Sequence, residues 1–368
     1  MDCAALRHNL AALRTHSPNV GIMAVVKANA YGHGLAPVVD ALAGRVEIFG
    51  VANLAEAREA AHHAGRTPIF LLGAALPSER AQIVSEGFIS AVSSIEEAAA
   101  FSKLSTGAKV RVHLVVDTGM GRMGVCESDA LAVAERVFAM PGIEVAGVCS
   151  HLPVADDDDA FTSAQLTRFH ALVAAMRERG LPADALIHIE NSAGFIAFPE
   201  RAGALVRAGL TIYGVAPRAE FQSKLRPALT WKTRVLFVRN FIAGRGVSYG
   251  RTFTTPTPMR IATLAVGYAD GYPRQLSGRG ASVLIRGCRC AVLGRVTMDQ
   301  IMVDATALPD LAPGEEAVLL GRQGGEEIPA NDLAERACTI AWDIFTGIGT
   351  RVMRVPFDSA VSSAPHPH

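Results

Sequence analysis

A lysine stands at the end of an apolar segment near the start of the chain. Lys27 follows the apolar residues 23–26 and precedes the small and polar residues 28–34. If the apolar segment is a buried strand, the amine at its end is partly desolvated, which lowers its pKa and favours the neutral form that attacks a carbonyl carbon. A lysine that merely extends from a strand end into water shows the same pattern, so Lys27 alone does not indicate a reaction.

Further polar residues follow four later apolar segments. Val110–Val116 is followed by Asp117 and Arg122, Ile143–Cys149 by His151, Leu186–Ile189 by Glu190, Asn191 and Ser192, and Ala204–Val206 by Arg207, Gly209 and Leu210. One such residue is usually only solvated or structural. Reactive groups at the ends of five segments predict a shared site, because the carboxyl ends of parallel strands meet at one face of a barrel.

These segments belong to a series of eight that predicts an α/β fold, a TIM-like (β/α)8 barrel. The eight are Ile22–Val26, Ile48–Ala52, Ile69–Leu72, Phe88–Val92, Val110–Val116, Ile143–Cys149, Leu186–Ile189 and Ala204–Val206. They are short and rich in β-branched residues, and helical patterns lie between them, the clearest at Thr162–Arg179. An open doubly wound sheet is the alternative, but such a sheet usually has fewer strands.

The sequence changes character after residue 224. Strand-like segments joined by glycine- and proline-rich turns follow, and only residues 330–348 show a helical pattern. We therefore predict a barrel domain over residues 1–224 and a mostly β domain over residues 225–368. The final residues 362–368 are expected to form a loose tail.

The loops after the seventh and eighth strands predict a phosphate site, because barrels often bind phosphate there. Ser192 supplies a hydroxyl, and Gly209 and Leu210 supply backbone N–H groups. A phosphate site together with an imine-forming lysine points to pyridoxal 5′-phosphate (PLP) as the cofactor. Enzymes that act on sugar phosphates with a lysine are the alternative.

The bulk composition argues against several classes of partner. The chain has 35 basic and 35 acidic residues, so its zero formal charge favours neither nucleic acid nor an anionic membrane surface. It has no run of eighteen uncharged apolar residues and no evident secretory signal. The six cysteines lack the spacing of a zinc site or a redox pair. We expect free thiols, no metal and a cytoplasmic protein.

The order of these motifs resembles the alanine racemase family. Residues 24–34 are similar to the PLP-attachment signature of that family, and further matches follow at residues 117–124, 151, 188–194, 206–214, 247–250, 266–272 and 294–303. The matches run in family order along nearly the whole chain. The resemblance implies an isomerase that interconverts L-alanine and D-alanine, supplies D-alanine for peptidoglycan, and forms a head-to-tail homodimer with shared active sites.

The resemblance also implies which residues bind the cofactor. Lys27 would hold PLP. Its phosphate would be bound by Tyr31, Ser192, Gly209 and Leu210, and Asn191 would also contact the cofactor. Arg207, backed by His151, would face the pyridine nitrogen, and Arg122 would contact the phenolic oxygen. A guanidinium remains protonated, so Arg207 would donate a hydrogen bond to the ring without protonating it. That arrangement weakens the ring as an electron sink and disfavours transamination.

For the substrate, the resemblance implies two bases on opposite faces. Racemisation removes the Cα proton from one side and returns a proton to the other, and Lys27 and Tyr249 would perform these two steps. Arg122 would hold the substrate carboxylate, with Tyr268, Met298 and Asp299 as further contacts. Tyr249 and these three would come from the second domain of the partner subunit.

Among the departures from the family pattern, two positions bear on the site. Many members carry a lysine modified to a carbamate where this chain has Val115, so another group must orient Arg122. Some members place a tyrosine beside the phosphate and the substrate where this chain has Thr350. The smaller side chain predicts a looser pocket that admits serine.

Two alternative functions stay open. One is an amino-acid racemase of broader specificity that includes serine. The other is a non-catalytic PLP-binding barrel protein, which the second domain and the motif around Tyr249 disfavour, because such proteins are usually single barrels.

Overall fold

The computed structural model describes residues 1–359, so the tail predicted at residues 362–368 lies outside the described residues. The chain divides into two compact units. One consists mainly of residues 3–30 and 34–226, and the other of residues 1–2, 31–33 and 227–358.

The first unit is built around a parallel sheet. Its strands are β1 (Gly21–Val25), β2 (Ile48–Val51), β3 (Ile69–Ala74), β4 (Ile89–Val92), β5 (Val110–Asp117), β6 (Val125–Cys126), β7 (Ile143–Cys149), β8 (Leu186–His188) and β9 (Leu205–Ala208). They pair in the order β8-β7-β5-β4-β3-β2-β1-β9, with the short β6 added to β5. Just after β8, Asn191 forms a parallel bridge with Arg207 of β9, and the Arg207 N–H donates to the Glu190 carbonyl at 3.1 Å. The predicted barrel is confirmed, and the open sheet is wrong.

All eight predicted strands are present, with their ends within two residues of the predicted ones. The largest consequence is at β9, which continues to Ala208. Arg207 was predicted to follow this strand, but it lies within it, because its backbone N–H takes part in closing the barrel.

Helices alternate with these strands. They are Cys3–His16, Leu35–Leu42, Leu54–Ala61, Arg80–Ser85, Ile95–Ser102, Ala130–Phe138, Asp159–Glu178 and Ser192–Ala197. Several begin at a side-chain cap that satisfies a free backbone N–H. Asn53 accepts from the N–H of Glu56, and Asp158 accepts from that of Phe161. The helices at 3–16, 35–42 and 192–197 were not among the helical patterns recognised in the sequence.

Apolar side chains fill the barrel interior as one cluster. Its buried members are Met23, Ile48, Phe70, Ile89, Ala91, Val115, Cys149 and Leu205, contributed by seven of the strands. This packing removes apolar surface from water, which is the main stabilising contribution to such a core. Val115 is part of it, so a short apolar side chain suits this position.

The second unit is mostly β, as predicted. Its strands are β10 (Trp231–Phe241), β11 (Gly246–Val247), β12 (Phe253–Thr254), β13 (Met259–Leu264), β14 (Ser282–Ile285), β15 (Cys288–Leu293), β16 (Ile301–Asp304), β17 (Glu316–Gln323) and β18 (Glu326–Ile328). The main sheet is antiparallel, and it closes on itself because β10 pairs with both β13 and β17. Its helices are Ala330–Ala337 and Ala341–Gly347, inside the predicted helical region.

Two further predictions concern the whole described chain. All six cysteines are free thiols, as expected. Among residues 1–359, no helix is both long enough and apolar enough to cross a membrane.

Candidate active site

Lys27 lies two residues beyond β1, at the carboxyl end of the barrel strands, and is half-buried. Burial lowers the pKa of its amine, and the nearby Arg122 and Arg207 lower it further. Glu56 acts in the opposite direction, but the net shift is downward. The pKa of the amine therefore lies below its ordinary value, in the direction that the strand-end position predicted.

The backbone after Lys27 has an uncommon conformation. Residues 28–31 have φ between 51° and 53°, a left-handed turn made of non-glycine residues. This region costs L-residues about 1–2 kcal/mol each, and such strain is concentrated at functional sites. The Glu56 carboxylate holds the start of the turn, since it accepts the N–H groups of Ala28 at 2.7 Å and Ala52 at 2.8 Å. Sequence reasoning did not identify Glu56 as a contributor.

Arg207 is the most densely bonded side chain of the site and is only 7% exposed. Its two terminal nitrogens donate to the carbonyls of Ser150, His188 and Ile189 and to Nδ1 of His151 and His188, at 2.7–3.0 Å. Every one of these acceptors is uncharged. Within residues 1–359 its Nε–H makes no hydrogen bond, so one donor of the fixed guanidinium remains for a ligand.

His151 is an uncharged partner of Arg207. Arginine can only donate, so Nδ1 of His151 must accept the 2.9 Å bond and carry no proton. Burial, followed by the charges of Arg207, Arg122 and Lys27, lowers the pKa of His151 to about 3. The imidazole is therefore neutral at physiological pH.

The loop that carries Arg122 is organised by Asp117. Its carboxylate accepts the N–H groups of Gly119, Met120 and Gly121 at 2.9–3.1 Å. Burial alone would raise the pKa of Asp117, but these hydrogen bonds lower it overall. Gly124 ends the loop with a φ of 115°, and a Cβ there would lie 2.7 Å from the Asp117 nitrogen, so the close return requires glycine.

Arg122 itself is exposed, and its side chain makes no hydrogen bond to any of residues 1–359. In the barrel interior, Val115 lies in the apolar cluster with Met123 packed against it. The guanidinium of Arg122 is therefore available to an anion.

The residues predicted to bind phosphate lie close together at the ends of β8 and β9. The Ser192 hydroxyl is buried, accepts the Gly209 N–H at 3.1 Å and lies 3.0 Å from the Thr211 hydroxyl. The backbone N–H of the buried Leu210 has no hydrogen-bond partner in the described chain, which is unusual for a buried donor. Asn191 has its own contacts, because its side chain caps the helix at Gly194 and donates to the Leu152 carbonyl.

Tyr31 belongs to the second unit and is buried, which raises its pKa to about 12. The other predicted residues of that unit are at its surface: Tyr249 is 70% exposed, Met298 53% and Tyr268 41%. The loops of Tyr268 and Met298 are joined, since the Ala269 N–H donates to the Met298 carbonyl at 3.0 Å.

The structure separates two tyrosines of one sequence motif. Tyr272 is fully buried, and its hydroxyl has no hydrogen-bond partner within the described residues, whereas Tyr268 is accessible. This supports the choice of Tyr268 for the substrate pocket. Asp299, the last predicted contact, pairs with Arg351 at 2.9 Å, and Arg351 also lies 3.3 Å from Asp270. Residues 1–359 contain no group of three side chains suited to hold a metal ion.

Comparison with known proteins decides the family. The family description "Alanine racemase, N-terminal domain" matches residues 1–217, and "Alanine racemase, C-terminal domain" matches residues 228–356. The chain belongs to the alanine racemase family. The sequence-based recognition of this family, and with it of an amino-acid racemase, is confirmed.

Individual alanine racemases are similar to this protein along nearly its whole chain. Alanine racemase of Symbiobacterium thermophilum is 44% identical over 96% of this chain and 95% of its own length. The solved alanine racemase of Streptomyces lavendulae has a TM-score of 0.90 and 35% identity, covering 98% of this chain and 96% of its own. That of Bacillus anthracis, described with bound L-Ala-P, has a TM-score of 0.88 and 33% identity over 97% and 94%.

Proposed function

We propose that this member of the alanine racemase family interconverts L-alanine and D-alanine with PLP bound to Lys27. The observation that carries the proposal is the amine of Lys27 at the carboxyl end of the barrel, whose pKa is lowered by burial and by the nearby Arg122 and Arg207. The L-Ala-P bound to the Bacillus anthracis relative supports an alanine-like ligand.

The donor set of the barrel fits PLP. The Nε–H of Arg207 and the backbone N–H of Leu210 lack partners among residues 1–359, and they suit a ring nitrogen and a phosphate oxygen respectively. The Ser192 hydroxyl and the Gly209 N–H lie beside Leu210, while Asn191 and Tyr31 would complete the surroundings of the phosphate. When bound, PLP withdraws electrons from the Cα–H bond of an attached amino acid and acidifies that proton.

The residues of this chain would then direct the proton. Lys27 would accept or return a proton at one face of Cα, and Tyr249 would do so at the other. Arg122 holds the substrate carboxylate. Arg207 keeps its charge and donates a hydrogen bond to the ring, while the neutral His151 fixes the guanidinium from behind. Tyr268, Met298 and Asp299 line the substrate side.

Reduction with borohydride tests the cofactor and its lysine. The purified protein with PLP is expected to be yellow, to racemise both alanine enantiomers, and to carry the reduced label on the peptide that contains Lys27. Lys27→Ala should lose the colour and the activity, whereas Lys103→Ala, a change at an exposed lysine, should keep both. A colourless and inert protein after addition of PLP would exclude the proposal.

Mixing two inactive variants tests the shared active site. If Tyr249 of one subunit serves Lys27 of the other in a homodimer, then a mixture of Lys27→Ala and Tyr249→Phe contains hybrid dimers with one intact site. Equal exchange should restore about a quarter of the native activity, because half of the dimers are hybrids with one working site of two. No recovery, with exchange verified by mass spectrometry, would place both bases in one subunit.

Broader specificity is the second candidate, because Thr350 is exposed where a tyrosine would narrow the pocket. Turnover of serine faster than alanine would displace the leading proposal. We further propose that the enzyme works in the cytoplasm and supplies D-alanine for peptidoglycan. Rescue of a bacterium that requires D-alanine, by the native gene but not by Lys27→Ala, tests this role.

A further inference from the structure

Two buried histidines continue the hydrogen bonds of Arg207 into the barrel. Nη1 of Arg207 lies 2.7 Å from Nδ1 of His188, and Nε2 of His188 lies 2.8 Å from Nδ1 of His113. His188 ends β8 and His113 lies in β5, and both side chains are completely buried. Neither residue was predicted to take part in the site.

The proton positions along this series follow from its first donor. A guanidinium can only donate, so Nδ1 of His188 accepts and carries no proton. A neutral His188 then carries its proton on Nε2 and donates it to Nδ1 of His113. His113 must in turn carry its proton on Nε2, and that atom is buried without a hydrogen-bond partner among residues 1–359. The charge of Arg207 thus fixes both tautomers.

Both rings are held in the uncharged form. Burial, followed by the charges of Arg111 and Arg207, lowers the pKa of His113 to about 3. Burial and Arg207 also lower the pKa of His188 well below its usual value. Each imidazole is therefore uncharged, with Nδ1 of His188 accepting from Arg207 and Nδ1 of His113 accepting from His188.

The barrel interior is shaped to hold His113 in this position. Its ring stacks on Phe70, with centroids 4.5 Å apart and planes 29° apart. Gly147 makes room from the neighbouring strand, since a Cβ there would lie 2.9 Å from Nδ1 and Cε1 of His113. A larger residue at position 147 would push the ring away from His188.

We propose that His188 and His113 are positioning residues, a neutral relay that orients Arg207 without placing a carboxylate against its guanidinium. A carboxylate in their place would also accept from Arg207, but it would cancel the charge. The hydrogen bond from Arg207 to Nδ1 of His188 holds the plane of the guanidinium, while its Nε–H has no partner among residues 1–359. Hydrogen bonds in such a series polarise one another. The role of this relay in catalysis rests on the proposed function, whereas the tautomers of His188 and His113 follow from the fold alone.

The tautomers are tested by 15N NMR of the histidine-labelled enzyme at neutral pH, with and without PLP. Both rings are expected to carry the proton on Nε2 and a bare Nδ1 in either state, because the fold sets the pattern. A proton on Nδ1 of either ring, or a doubly protonated ring, would overturn the relay. Loss of PLP binding with native tautomers would instead count against the proposed function alone.

Substitutions at position 113 test the positioning role. His113→Leu removes the acceptor of the His188 Nε2–H, so the 15N signal of that nitrogen should shift, while Arg207 still keeps the proton off Nδ1. The kcat should fall about tenfold with KM little changed, as expected for the loss of one buried hydrogen bond. His113→Asn keeps an acceptor near the same place and should restore most of kcat and the native His188 spectrum. Val112→Ala is the control, because it creates a cavity on the same strand. It should lower the melting temperature without changing the His188 spectrum.

The relay would be wrong if His113→Leu left the His188 spectrum native. It would also be wrong if the asparagine and leucine variants were equally impaired, because a role in packing alone does not distinguish a side chain with an acceptor from one without.

Discussion

Most of the predicted functional residues differ in exposure between the two units, although Arg122 in the barrel is exposed and Tyr31 in the second unit is buried. In the barrel, Arg207 and Ser192 are buried and hydrogen-bonded, and His151 is half-buried and accepts from Arg207. In the second unit, Tyr249 and Met298 are more than half exposed. The barrel residues are preorganised by the fold itself, so their chemistry can be inferred from a single chain. The exposed residues of the second unit acquire their environment only when something covers them, which agrees with the proposal of a shared site in a dimer.

The contrast predicts that substitutions of the buried functional residues in the barrel lower both stability and activity. Arg207→Leu should abolish racemisation and lower the free energy of unfolding by roughly 3 kcal/mol or more, because several buried acceptors lose their donor at about 1–3 kcal/mol each. Denaturant unfolding measures the change. Arg66→Ala, at an exposed arginine, should change it by less than about 0.5 kcal/mol. Equal effects of the two substitutions would contradict the preorganised site.

Substitutions of the exposed residues in the second unit should change activity and leave stability unchanged. Tyr249→Phe removes the acidic hydroxyl and should lower racemisation by about 10²–10⁴-fold, the usual contribution of a general acid or base. Its unfolding free energy should stay within about 0.5 kcal/mol of the native value. Tyr272→Phe is the matched control, because it removes a buried hydroxyl that has no partner among the described residues and should leave activity intact. Unchanged racemisation by Tyr249→Phe would exclude Tyr249 as a base.

The buried histidines make the barrel sensitive to acid. The folded-state pKa values of His113 and His151, at about 3, lie below the unfolded value of 6.5, so the unfolded chain binds more protons between these limits. Stability is fully present above pH 6.5 and falls as the pH decreases towards 3, by at most about 1.4 kcal/mol per pH unit for each histidine. Unfolding curves at several pH values should show a shallower slope for His113→Asn than for the native protein. An identical slope would mean that His113 is protonated in the folded state.

The smallest effect is expected at the exposed edge of the second unit. Thr350→Tyr should reduce the ratio of kcat/KM for serine to that for alanine by about tenfold, because a larger side chain narrows the pocket against the added hydroxyl. Stability should hardly change, since Thr350 is exposed. Competition assays with both amino acids measure the ratio, and a ratio that rises would show that Thr350 does not limit substrate size.

Much of the barrel was predictable because each of its strands is recognisable from a few neighbouring residues in the sequence. A buried parallel strand reads as a short apolar run, and the residue after the run lies at the active face, which located Lys27 and His151. The short helix at 192–197 was missed because it has only six residues and no apolar periodicity. The end of β9 was misplaced because the charged side chain of Arg207 resembled the start of a loop.

The partners of Arg207 were not predictable in the same way. His113 and His188 lie 75 residues apart and meet only because β5, β7 and β8 are neighbours in the barrel. A histidine inside an apolar run was the available signal, since buried polar residues need a partner, but the run does not say which one.

The sequence by itself determined the order of strands and helices, the lysine at the rim of the barrel and membership of the racemase family, because these depend on residue types close together along the chain. Only the tertiary structure decided that the barrel closes at Arg207, that this arginine has no carboxylate partner among the described residues, and which tautomers its histidines adopt. Those properties depend on strand register and on distances across the barrel, and hydrogen-bond donors and acceptors become matched only when distant segments are brought within about 3 Å.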